Sequence, residues 1–258
     1  MTELAALFDL TNQVLWAHFI VFLRVGPAMA LFPGLGEQSI PVRFKLLLAL
    51  MFTIVVTPVL TPDLADMPDS MMTLLQIVLI ETGIGTLIGI GLRLFLLGLQ
   101  TAGSIAAQVT SLSQILGSVG VTPLPAMGHL LAIGALTLGM ILGLHVHLAR
   151  MLVLTYGALP SAVVPDPGSV AQWGTQNVAA TFSLAFTLSA PFVIVSILYN
   201  ITLGVINRAM PQMMVVFIGA PVITFTGLIL LFLLSPVMLR LWVDGFQAFM
   251  ISPFESVR

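Results

Sequence analysis

Residues 200–227 read NITLGVINRAMPQMMVVFIGAPVITFTG. Two long apolar runs meet there at a short polar knot, Asn207-Arg208-Ala209-Met210-Pro211-Gln212. Pro211 has no N–H and cannot continue a helix in register, so the backbone turns or kinks at this point. Arg208 sets a permanent charge just before the break, Gln212 an amide just after it, and Met210, Met213 and Met214 cluster around both. A charged elbow between two membrane-length segments is costly unless it faces water, protein or a lipid head group. Its setting therefore predicts an all-α membrane protein whose elbow faces protein and a water-filled passage.

Composition extends that reading to the whole chain. Of 258 residues 59% are hydrophobic and 7% charged, where a soluble domain carries roughly 25% charged residues. A soluble fold of this size has too little interior to hide so many apolar side chains. The net charge of −2 supplies no basic field for nucleic acid. With no cysteine, disulfides, thiolate metal sites and cysteine nucleophiles are excluded. Residues 1–12 hold Glu3 and Asp9 but no Lys or Arg, so a cleaved signal with a basic start is not expected and the first apolar segment is retained.

Apolar segments fall at 13–32, 41–60, 71–99, 129–154, 178–206 and 214–239. Each is near the roughly 20 residues that cross hydrocarbon. They predict about six helices, since a span must satisfy its own backbone hydrogen bonds. The alternation of an outer-membrane barrel is missing.

Outward from the elbow, the other segments carry their own exceptions. The first contains Arg24, Gly26 and Pro27. Pro27 should bend it, and Arg24 needs a partner or wet surface, or else snorkels to a head group. Residues 33–36, Pro-Gly-Leu-Gly, make a turn. Pro41 opens the second helix, where its missing N–H costs nothing, with Arg43 and Lys45 in its first turn. Residues 61–70 hold Asp63, Asp66 and Asp69 and form a solvated acidic loop with Asp69-Ser70 as helix cap. It lacks the glycine and closing Glu of a calcium loop, and no metal or other cofactor is expected. In the third segment Gly85 and Gly89 let another helix approach closely. Glu81 and Arg93 lie about 18 Å and about 120° apart on one helix, so each requires a partner from elsewhere.

Residues 94–149 contain no Asp, Glu, Lys or Arg. Within them Gln100, Ser104, Gln108 and Ser111 recur at helical spacing as one polar stripe. The neutral connection from Gly117 through Gly120, Pro123 and Pro125 follows. Such a loop fits an element buried in protein or lining a lumen; the alternative is interhelical hydrogen bonding plus a plain connection. His145 and His147 point to different faces of one helix and cannot share a metal. The connection at 157–175 offers Trp173 as an interface anchor. Pro191 and Pro221 should kink their helices. The tail at 241–258 is mildly amphipathic and is expected at the interface or on a partner. Arg43, Lys45 and Arg208 favour one side of the membrane and the acidic loop the other, which puts both termini outside the cytoplasm.

Two blocks, FLRVGPAMALFPGLGEQSIPVRFKLLLAL and LGVINRAMPQMMVVFIGAPVITFTGL, resemble the FliR family of flagellar biosynthetic proteins, whose injectisome counterpart is SctT. The likeness rests on Arg24, Pro27, Pro33, Pro41 and Arg43 in the first block. In the second it rests on Asn207, Arg208, Pro211 and Gln212, followed by Gly219 and Pro221. It implies a non-enzymatic subunit of a type III export gate in the bacterial inner membrane, one chain of tilted helical hairpins. The implied partners are FliP-like and FliQ-like membrane subunits, FlhB-like and FlhA-like export proteins, and unfolded protein substrates in transit. The family also carries a pore-plugging loop between its middle helices, which corresponds here to residues 112–128. On this reading Gln100, Ser104, Gln108 and Ser111 line the passage, and Met210, Met213 and Met214 add a deformable seal; ordinary packing is the alternative for the methionines. A proton-coupled transporter relaying through Glu81, His145 and His147 is a rival, although the internal repeats common in transporters are absent. An intramembrane enzyme would need a nucleophile–base motif, and none is found.

Overall fold

The computed structural model describes residues 2–37, 40–60, 64, 66–110, 126–210 and 215–254. Among them are seven helices and no strand: α1 Thr2–Leu31, α2 Val42–Leu60, α3 Met71–Thr110, α4 Ala126–Ile141, α5 Leu144–Ala158, α6 Pro167–Ala209 and α7 Val215–Ile251. Five of these contain stretches long and apolar enough to cross a membrane.

The fourth expected helix, 129–154, is two, α4 ending at Ile141 and α5 beginning at Leu144. Gly143 separates them: its φ of 80° is a conformation that glycine adopts without steric penalty. At the helix starts the local chemistry is orthodox. Ser70 Oγ accepts the Thr73 N–H at 3.1 Å and caps α3. Asp166 Oδ2 accepts the Ser169 N–H and hydroxyl, both at 2.8 Å, and Pro167 takes the first position of α6, where no N–H is needed. These hydrogen bonds from Ser169 hold the exposed Asp166 carboxyl below the usual carboxylate range. The 33–36 turn is present, with Gly34 at φ 87° and the Gly36 carbonyl accepting from Lys45 Nζ at 2.8 Å.

The chain divides into two compact units. The first comprises Met1–Leu94, Leu142–Asn177 and Phe246–Arg258. Its core is built from Ile20, Val21, Val25 and Ala28 on α1, Ile84, Ile88 and Leu92 on α3, and Leu148, Met151 and Leu152 on α5, at three- and four-residue spacing that gives each helix one buried stripe. The second comprises Phe95–Ile141 and Val178–Gly245. Leu99, Ala102 and Ala106 of α3, Leu131 and Ala135 of α4, Leu188 and Phe192 of α6, and Leu231 and Trp242 of α7 form its core. Trp242 is fully buried and donates its indole N–H to the Phe95 carbonyl at 2.8 Å.

Residues 241–251, read as part of an amphipathic tail, continue α7, and their aromatic residues Trp242, Phe246 and Phe249 are buried within the chain. Trp173, read as an interface anchor in a connection, lies on α6 and is turned inward. Its indole N–H donates to the Pro253 carbonyl at 2.6 Å, and Phe249 and Phe254 pack against its ring. Gly91 makes the room, since a Cβ there would lie 2.9 Å from the indole. Trp173→Phe keeps most of the apolar contact and deletes the hydrogen bond. It should lower stability by about 1 kcal/mol, read by thermal unfolding of the detergent-solubilised chain; an unchanged midpoint would show that the bond contributes nothing.

Candidate functional site

The first unit is organised around a charged cluster with no access to solvent. Arg24 on α1 and Glu81 on α3 are both 0% exposed. Arg24 Nε–H donates to Glu81 Oε2 at 2.7 Å and Nη2–H to Oε1 at 3.2 Å, a forked pair of charge-assisted bonds. The remaining arm, Nη1–H, donates to the Leu159 carbonyl at 2.9 Å. The guanidinium carbon lies 3.6 Å from the Tyr156 ring centroid, a cation–π contact in a desolvated setting. Glu81 Oε1 also accepts the Ala162 N–H at 2.9 Å. Thus Arg24 does not snorkel, and the partner demanded of each lone charge is supplied by the other.

Two glycines bring α1 and α3 close enough for this. A Cβ on Gly85 would collide with the backbone carbonyl of Arg24, and one on Gly89 would sit 2.8 Å from Leu31 Cβ and 3.2 Å from Ala28 Cα. The small-xxx-small spacing anticipated this approach. Arg93 faces Glu37 across 3.9 Å with both side chains about one-third exposed, a separation and exposure that make it a weak pair.

In the second unit the polar stripe divides. Gln100 and Ser104 are half-buried, Gln108 is exposed, and Ser104 Oγ–H donates to the Gln100 carbonyl at 2.8 Å within the same helix. Ser111 and the connection with Gly117, Gly120, Pro123 and Pro125 lie outside the described residues, while 126–128, read as the end of that connection, begin α4. α3 and α4 cross at Gly103 and Gly128 in backbone contact.

The end of α3 is held by residues that the stripe did not include. Ser196 Oγ–H on α6 donates to the Val109 carbonyl at 2.6 Å, and Thr224 Oγ1–H on α7 to the Thr110 carbonyl at 3.4 Å. The last carbonyls of a helix have no partner of their own, and in an apolar medium they must find one. Asn200 Nδ2–H donates to Ser196 Oγ at 3.2 Å, and the Tyr199 hydroxyl to the Gly219 carbonyl at 2.6 Å. Isolated polar residues in apolar runs carry no periodic signal, so only the Ser196/Asn200 spacing of four could have pointed to this group.

At the elbow, Asn207 and Arg208 occupy the exposed last turn of α6, where a cation complements the helix end. Met210 is exposed too. Pro211, Gln212, Met213 and Met214 lie outside the described residues; Gly219 is buried and Pro221 exposed within α7. Of the N-terminal block, Pro33 is buried with Arg24, Pro27 half-buried, and Pro41 and Arg43 exposed. Two of the three groups of the transporter reading already have partners. Glu81 serves Arg24 and Ala162, His147 Nδ1 lies 3.1 Å from the Gly143 carbonyl of its own helix tip, and His145 is exposed.

The family model described as bacterial export proteins, family 1, matches residues 15–249. Among curated relatives, the flagellar biosynthetic protein FliR of Caulobacter vibrioides is 32% identical over 230 residues, covering 88% of this chain and 92% of that protein. The FliR protein of Escherichia coli K12 is 27% identical over 221 residues, 85% of this chain and 84% of its own. That of Pectobacterium carotovorum is 22% identical over 233 residues.

Proposed function

The chain belongs to the bacterial export proteins, family 1, and from that membership we propose that it is a subunit of a flagellar type III export gate. The observation that carries the proposal is the reach of the match. It takes in both blocks that resemble the family, the buried Arg24–Glu81 cluster and the crossing of α3 with α4, on a chain of membrane-length helices. Its role is to form part of the inner-membrane channel for unfolded flagellar proteins, without an enzymatic step of its own.

The partners in this reading are FliP-like and FliQ-like membrane subunits, with FlhA-like and FlhB-like proteins alongside. The candidate membrane-spanning windows are only 22–39% buried within the chain, which leaves ample helix surface for neighbours. Gln100, Ser104, Gln108 and Ser111 face the passage, residues 112–128 obstruct it at rest, and Met210, Met213 and Met214 seal it. Ser196 and Thr224 position the root of that obstruction through the end of α3. Arg208, exposed at the elbow, meets a neighbouring subunit.

Purification of the tagged chain from flagellated cells in mild detergent tests the proposal. Mass spectrometry should find two small helical membrane proteins in fixed ratio with it. Recovery of the chain alone, under conditions that keep other membrane complexes whole, would refute the assembly. Deleting residues 117–125 should make membranes that hold the assembled complex leak ions, and unchanged permeability would remove the plug from the account.

A further inference from the structure

We propose that Arg24 and Glu81 are positioning residues that latch the α5–α6 strap, residues 159–162, in a strained turn forming one wall of an apolar pocket. The proposal does not depend on the export-gate reading. It starts from where the ion pair spends its spare hydrogen-bonding capacity. Arg24 grips the Leu159 carbonyl and Glu81 grips the Ala162 N–H, both at 2.9 Å. Two backbone groups of opposite polarity, three residues apart, are thus held by two opposite charges on α1 and α3.

The strap needs holding. Ala162 has a φ of 61°, in the left-handed region that disfavours an L-residue with a Cβ. Such a conformation persists only where the surroundings over-determine it. The turn's own bond, Val163 N–H to the Pro160 carbonyl, is long at 3.5 Å. The N–H of the strained residue itself goes to Glu81.

The strap also forms a wall. A partly open pocket of about 390 Å³ lies against it, lined by Ile84, Leu87 and Ile88 of α3 and by Leu159, Pro160 and Val163 among others. Ser161, in the strap, is 8% exposed. Releasing the strap would widen this pocket and expose Ser161 while the helices stay packed through their own apolar stripes.

A buried ion pair is a poor device for stability alone, because well-packed apolar residues of similar volume do as well or better. What this pair supplies, and a pair of leucines would not, is an acceptor for Ala162 and a donor for Leu159. That difference separates a latch from a general structural support.

The chain has no cysteine, so a single introduced thiol reports one position. Ser161→Cys reads the strap. Thr57→Cys, at a buried site on α2 in the same unit, reads the fold. Each would be placed in the full chain, in membranes from cells producing the whole apparatus, and its reaction rate with N-ethylmaleimide followed. Both should react slowly in the otherwise unchanged chain. With Arg24→Leu and Glu81→Leu together, which leaves no unpaired buried charge, Ser161→Cys should react at least about tenfold faster while Thr57→Cys stays slow, the pattern of a local opening. A Ser161→Cys rate that stays low would overturn the latch, and so would a rise at both positions.

Discussion

Truncating either member of the buried pair should be among the most damaging single changes in the chain. Arg24→Ala leaves the Glu81 carboxylate without its cation in a site with no solvent exposure. Breaking a buried ion pair from one side costs about 3–5 kcal/mol, because the remaining charge has no water to turn to. Two further losses act in the same direction: the Leu159 carbonyl loses its donor, and the Tyr156 ring loses the guanidinium stacked on it. No discount for solvent screening applies, since both side chains are fully buried. Glu81→Ala should be similarly severe, for it strands the guanidinium and the Ala162 N–H together. Replacing both by leucine should restore most of the loss by removing the unpaired charge. The measurement is thermal or chemical unfolding of the detergent-solubilised chain beside its steady-state level in membranes. Near-parental stability of Arg24→Ala would show that water or another charge reaches the site, and the buried cluster as described would be wrong.

This cluster also shows how far the amino-acid order carries. That Arg24 and Glu81 need partners follows from the price of a charge in an apolar segment. That each answers the other does not, because they are 57 positions apart and no local pattern links residues on separate helices. The glycine spacing at 85 and 89 came closer, since small residues at i and i+4 describe a surface before the partner is known. Helix type, and all of the helices but one division, were legible from apolar run length. Helix ends were less so. α3 runs to Thr110 and α6 begins at Pro167, well outside the apolar runs, because hydropathy marks the width of hydrocarbon while backbone hydrogen bonding continues beyond it. The division of α4 from α5 was missed because one glycine in an unbroken apolar stretch carries no sign of its φ. Trp173 was misplaced for a related reason: an indole suits a membrane interface or an inward hydrogen bond, and only the fold chooses.

Glycine substitutions should separate closely packed sites from open ones by sign as well as size. At Gly103 a Cβ would collide with the backbone of Gly128, and at Gly128 one would lie 2.9 Å from the Gln100 carbonyl. At Gly85 the obstacle is the Arg24 carbonyl. In each case the obstruction is main chain, which cannot turn aside as a flexible side chain can, so a whole helix must shift. Overpacking of this kind costs about 1–3 kcal/mol and occasionally more, and the upper end applies here. Gly83 and Gly204 also sit within helices, α3 and α6, but an added Cβ meets nothing within 4 Å at either. There alanine only restricts the unfolded chain and favours helix, a gain of about 0.5–1 kcal/mol. Gly85→Ala and Gly103→Ala should therefore lower unfolding stability of the purified chain and abolish swimming, whereas Gly83→Ala and Gly204→Ala should raise stability slightly. Measuring the purified chain first keeps the test clean, since a partner helix seated over Gly83 or Gly204 would make alanine harmful only in the assembly. Equal effects at all four positions would mean that α1, α3 and α4 do not approach at backbone distance, and with that the placement of both the ion pair and the Gln100–Ser104 stripe would fail.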